Sequence, residues 1–467
     1  MPTLKVVNIT PVSLSGGRTQ DAEPDLAVNP EHPDEVVATA FTPDPMGGPL
    51  APIYVSTDGG DTWILRSVVP GGTPTRGTGD ISVSFASTGG VLYAGILNAK
   101  ASLQDILRLQ ILRSPGISST APMEVLVSRD MPDQPSVVAG SFEIDGVTRD
   151  RVYVANNDFG RSPRTAAVDV SDDARTAPAP AGFARNRIEQ RTPLGRQDGP
   201  PVRIALHPEG TVYAAFESWE DATGGGGDIV DVTFDVVVTR DDDAGVGANA
   251  FQDLKDAEDS AIGQRVATQR VEKFNAFMGQ ERLGGDLAIA VDPTDAARVF
   301  VAWCDRVGAS AGVGCILHVR GSTDFGQTWS DDVRSVINAK NPALAVSTDG
   351  LLGLAYQRFG QEQWATVLEL TADDWQTPPE RHVLHQAPAN VPTARFLPYL
   401  GDYIRLLTVG RDFYGVFSGN NTPDHANFPE GVTYQRHADF VSHQLLDLDN
   451  VTRVPPSIDP FFYHRTA

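Results

Sequence analysis

The sequence predicts an all-β protein made of seven repeated, four-stranded antiparallel units. Three observations predict it. First, seven segments alternate apolar and polar residues with the period of a half-buried strand. Second, the 467 residues include 44 glycines and 34 prolines, a turn-rich composition that suits short strands better than long helices. Third, residues 56–63 and 322–329 both spell Ser-x-Asp-x-Gly-x-Thr-Trp.

The seven units open near residues 20, 76, 133, 197, 282, 339 and 398. Each begins with a segment bearing Pro or Gly-Asp, then an apolar strand, a turn and a second apolar-aromatic strand. The spacing is about 57 residues except in the fourth unit, and repeats of that length read as one sheet each. The fourth unit is the longest. Its insertion, about 219–281, contains the run Gly224 to Gly227, read as a hairpin loop. It also holds an Ala/Gln/Glu/Lys/Arg-rich stretch over 249–277, read as partly helical. Residues 3–12 form a further strand before the first unit, expected to complete the last one.

In the octads, Asp58 and Asp324 are placed to accept hydrogen bonds from turn amides. Gly60 and Gly326 suit a left-handed position, and Trp63 and Trp329 close the apolar side of the hairpin. Ser56, Thr62, Ser322 and Thr328 complete the pattern. The octad resembles the Asp box of sialidase-like β-propellers, the bacterial neuraminidase repeat. That resemblance implies a turn between the third and fourth strands of a blade. With the repeat count it implies one seven-bladed β-propeller over residues 1–467, built of four-stranded antiparallel blades with a partly helical insertion in the fourth. Degenerate versions fall at Ser171 to Asp173, Thr239 to Asp241 and Thr371 to Asp373; Ser114 to Gly116 is a poor match.

The formal charge of −23 argues against nucleic acid as a partner. No apolar run is long enough to span a membrane as a helix. No Sec-type leader is visible, so the expected location is the cytoplasm, or outside it by a route without such a leader. Cys304 and Cys315 lie on consecutive strands and are read as reduced thiols or a cross-strand disulfide. No metal or cofactor is called for, with Ca²⁺ at the channel mouth as the one alternative.

The chemistry is sought where the chain enters each inner strand. Arg18, Arg76, Arg196, Arg282, Lys340 and Arg395 precede or begin six of the seven. Guanidinium groups there can grip a carboxylate bidentately or bridge acidic residues of neighbouring units. Asp21, Asp25, Asp80, Asp133, Asp198, Asp286 and Asp402 lie close by. Arg76, Arg196, Arg282 and Arg395 are the candidate ligand-binding residues, with Trp219 as a rim aromatic for a sugar ring; Trp303 is read as core. The candidate catalytic residues are Asp80, Asp286, Asp402 and Tyr399.

Sialidase chemistry itself is not expected. The resemblance would require a Phe/Tyr-Arg-Ile-Pro motif, and the matching region reads Ala22-Glu23-Pro24-Asp25. Arg196, Arg282 and Arg395, with Tyr399 or Tyr403 and Glu217, are the nearest nominees. Seven-bladed relatives also include glycoside hydrolases with two carboxylates and uronate lyases, for which His385, Arg395 and Tyr399 would serve. Three readings stay open: a face that binds a glycan or protein partner without turnover, a carbohydrate-active enzyme, and a docking component of an assembly.

Overall fold

The computed structural model describes residues 2–17, 20–41, 52–67, 78–98, 108–130, 132–160, 165–191, 202–225, 228–273, 287–308, 314–392 and 400–467. Six four-stranded antiparallel sheets follow one another along the chain. They open with Ala22–Val28, Thr78–Phe85, Pro132–Ile144, Arg203–Leu206, Ala288–Asp292 and Ala339–Val346. A seventh, five-stranded sheet has the order Arg405–Val409, Asp412–Asn420, Ile458–Arg465, Leu4–Asn8, Thr433–Tyr434. An eighth, small sheet joins Ala438–Asp439, Gln444–Leu446 and Arg453–Val454.

The strands arise where apolar residues alternate, and their apolar faces pack between neighbouring sheets. Tyr213, Trp219 and Phe234 of the fourth sheet meet Val299, Val301 and Trp303 of the fifth in one buried cluster. Val36 and Tyr54 of the first sheet meet Tyr414 and Phe462 of the last. First strands of successive sheets also touch one another.

The fold expectation is corrected in two respects. No α-helix occurs among the described residues, whose only helical elements are three-residue 3₁₀ turns. The stretch expected to be partly helical contains the strand Gln264–Lys273, paired with Asp228–Asp241 as the last strand of the fourth sheet. The residues before it are turns pinned by carboxylates: Asp241 accepts from the amides of Gly245 and Phe251, and Asp256 from those of Glu258 and Arg265. Good helix formers thus became an edge strand, because pairing with a neighbour outweighs a propensity of tenths of a kcal/mol per residue. Second, every ladder is confined to one sheet. The sheets are held side by side by packing and do not join into a closed propeller or barrel. Nor are the units uniform: the last has five strands, and the small eighth sheet stands apart from the repeat.

Both octads are turns between the third and fourth strands of their sheets. Ser56 Oγ donates to Asp58 Oδ1 at 2.8 Å, and the Thr62 amide donates to the same oxygen at 2.8 Å. Trp63 Nε1 donates to the Gly60 carbonyl at 2.9 Å. Ser322, Asp324, Thr328, Trp329 and Gly326 repeat these bonds at 2.8–3.1 Å. Thr371, Asp373 and Thr377 keep much of the pattern in the sixth sheet. Gly60, at φ +92°, also lets the turn sit on the last sheet: a Cβ there would lie 2.2 Å from the Phe462 ring.

Candidate functional site

The first strands do not begin smoothly. Register shifts fall between Ala22 and Asp25, Thr78 and Ile81, Asp133 and Ser136, and Lys340 and Ala343. A bulge of this kind turns a side chain out of the ladder. Glu23, Gln134 and Asn341 hold the left-handed conformation at φ 52°, 53° and 56°, each just before a proline. Gly401 does so at φ +91°. Three non-glycine residues in that region at equivalent places mark a repeated device that the surrounding bonds must hold.

Most of those bonds run from sheet to sheet. The Asn341 amide donates to Gln357 Oε1 at 2.9 Å and to the Gly401 carbonyl at 3.0 Å. The Asp402 amide N–H donates to Glu23 Oε1 at 3.2 Å. Asp25 accepts from Ser82 Oγ at 2.7 Å and from the Val83 amide at 3.0 Å. The Tyr403 hydroxyl donates to Asp80 Oδ1 at 3.4 Å, and the Arg203 guanidinium lies 5.1 Å from the Tyr403 ring centre. Burial, then Asp80 and Glu23, push the Tyr403 phenol well above its ordinary value, so it stays a donor.

Of the predicted site residues, Asp80 and Asp402 are brought to this end of the molecule and both are buried. Arg18, Arg76, Arg196, Asp198, Arg282, Asp286, Arg395 and Tyr399 lie outside the described residues. Trp219 is not at a rim: it is fully buried between the fourth and fifth sheets, its Nε1 donating to Glu217 Oε2 at 3.3 Å. Trp303 is buried in the same cluster. Cys304 and Cys315 are free, buried thiols. Among the described residues no group of three His, Cys, Asp or Glu side chains is arranged to hold a metal ion. No helix among them is long and apolar enough to cross a membrane.

A second cluster brings Lys340 and Glu217 together with Glu272, which the sequence did not single out. Lys340, on the first strand of the sixth sheet, places Nζ 3.5 Å from Glu272 Oε1 on the last strand of the fourth. Both are buried, as is Glu217. Burial, then Glu272 and Asp305, push Glu217 well above the usual carboxylate range. Burial opposes the Lys340 charge, but Glu272, the two thiols and Asp402 more than offset it and raise the ammonium above its ordinary value. A faint signal exists. Glu217 and Asp305 each follow a strongly apolar run and lie two residues from Trp219 and Trp303, whose indole N–H groups they accept.

His385 is buried beside Phe417, Phe428 and Phe461, its Nε2 donating to the Asn420 carbonyl at 3.2 Å. Burial pulls it down to about 4. Unfolding restores an ordinary imidazole near 6.5, so between these values the unfolded chain binds the extra proton. Its stabilisation is complete above about pH 6.5 and is lost as pH falls towards 4, about 3 kcal/mol in all. His385→Leu is expected to flatten the slope of unfolding free energy between pH 4 and 6.5 in urea titrations. An unchanged slope would place the titration elsewhere.

A cavity of about 480 Å³ runs between the first strands, with lining residues from all seven large sheets or the turns that follow them. Its walls are mostly apolar, with Ile204, Leu206, Ile289, Leu344 and Leu406 prominent.

No protein-family model matches the chain, and no curated protein matches it. Among solved structures, the chain is distantly similar to the GH93 α-L-arabinofuranosidase of Fusarium graminearum in complex with arabinobiose. Identity is 11%, coverage 82% of this chain and 98% of that one, and the TM-score 0.43. It is similar to a polysaccharide lyase of family PL25, an ulvan lyase, at 10% identity, with coverage 86% and 92% and TM-score 0.40. It is also similar to YCF48 bound to a D1 peptide, at 11% identity, with coverage 99% and 97% and TM-score 0.38.

Proposed function

We propose that the end of the molecule where the first strands begin is a binding face, which takes a glycan or a protein partner and releases it unchanged. One observation carries this reading: the acidic groups there are tied into the framework. Asp25 is held by Ser82 and Val83, and Asp80 by Tyr403. Buried carboxylates fixed in this way hold the segments between the first strands in one arrangement, and a preorganised framework favours recognition. The segments leading into these strands carry Arg76, Arg196, Arg282 and Arg395, suited to an anionic ligand. The test is a glycan-binding array run beside chromogenic glycosides and polysaccharides. Binding without turnover, lost in Arg395→Ala, is the expected result. Turnover abolished by Asp402→Asn would overturn it.

A second reading, a glycoside hydrolase or uronate lyase, draws on the Glu217 and Glu272 pair. Burial and the charges of Glu272 and Asp305 raise the Glu217 carboxyl, and a raised carboxyl near a second acidic group is an arrangement used in general acid–base chemistry. Turnover lost in Glu217→Gln would favour it. Silence in both assays would favour a docking component.

A further inference from the structure

We propose that the cavity between the first strands is a separate binding site for an apolar small molecule with an anionic group at one end. The cavity reaches the proposed face at Asp25, but its ligand lies between the strands and the inference does not depend on the reading of that face. Its volume of about 480 Å³ falls in the range of small-molecule sites. Arg405 and Thr408 both line it, so it runs along at least four residues of one strand, roughly 10 Å. Between its ends the cavity is lined by Ile204, Ile289, Leu344, Ala345, Val346 and Leu406.

The two ends are polar in different ways. At the inner end the cavity narrows into a space that Arg203 and Arg405 line together. Arg405 is ion-paired with Asp25, Nε to Oδ1 at 3.6 Å, without a hydrogen bond between them. The Asp25 carboxylate is already occupied by Ser82 Oγ and the amides of Val83 and Leu26. The Arg405 side chain keeps 29% of its surface exposed, so its guanidinium has donors to offer. A carboxylate matches that fork.

At the other end stands His207, only 3% exposed. Its Nδ1 accepts the Glu209 amide at 3.2 Å, which leaves the hydrogen of the neutral ring on Nε2. That nitrogen is buried with no hydrogen-bond partner. An apolar chain with a carboxylate at one end meets both the apolar lining and the Arg405 fork.

The probe is 10-hydroxydecanoate, titrated calorimetrically into the full chain, with 1,10-decanediol as the uncharged control. One saturable site is expected for the acid, and binding at least tenfold weaker for the diol. Arg405→Met should erase that difference. Ala345→Phe, which fills the cavity, should abolish binding while leaving glycan-array signals unchanged. If Ala345→Phe lowers the melting temperature, Ala290→Leu serves as the second filling variant. Failure of the acid to bind, or equal binding by both filling variants, overturns the proposal. Loss of glycan signal with retained 10-hydroxydecanoate binding would sink only the proposed face.

Discussion

Removing residues 1–14 is expected to lower the thermal midpoint by on the order of 10 °C, or to prevent folding. Leu4–Asn8 is an internal strand of the seventh sheet, antiparallel to Ile458–Arg465 and parallel to Thr433–Tyr434. Val6, Val7 and Ile9 are essentially unexposed. Each such side chain contributes about 1.5–3 kcal/mol. Asn8 and Thr10 also donate to Asp459, at 2.8 and 3.3 Å, and the deletion takes both donors from a buried carboxylate. It further bares the edge of the strand carrying Phe461, Phe462 and Tyr463, a surface prone to association. Calorimetry on the truncated chain checks this; a midpoint within about 2 °C of the full chain would show that the strand contributes little.

Lys340→Met is expected to destabilise the protein by about 3–5 kcal/mol at pH 8, the usual cost of leaving one partner of a buried ion pair behind. Lys340 and Glu272 are both shielded from water, and Glu217 adds a third ionisable group nearby. Without the ammonium, Glu272 loses a buried counter-charge, which favours taking up a proton. Its folded value would then rise above the unfolded one. The folded chain would bind more protons than the unfolded chain above about pH 4.5, and stability would fall as pH rises. The loss should therefore be smaller at pH 5 than at pH 8. Glu272→Gln in the Lys340→Met background should recover part of it. A loss below about 1 kcal/mol at pH 8 would mean that the pair contributes little net energy.

The octads show why part of this structure was legible. Ser56, Asp58, Gly60, Thr62 and Trp63 satisfy one another within eight residues, so the string of letters contains the whole turn. The Pro and Gly-Asp segments were visible too, and they mark Glu23, Gln134, Asn341 and Gly401 in the left-handed conformation. What those residues touch was not visible, because their partners lie one sheet away. Trp219 misled for a related reason. Its neighbours Ser218 and Glu220 look like a surface, yet the fifth sheet covers its ring.

By itself, then, the sequence determined an all-β chain of repeated antiparallel sheets with octad turns between third and fourth strands, since strand alternation and turn bonding are local. Only the tertiary structure decided that residues 264–273 are an edge strand and that the sheets remain separate. It also decided that Lys340 meets Glu272 and that Arg405 and His207 bound one apolar cavity. Each of those depends on groups tens to hundreds of residues apart, whose meeting is set by packing rather than by any neighbour in the chain.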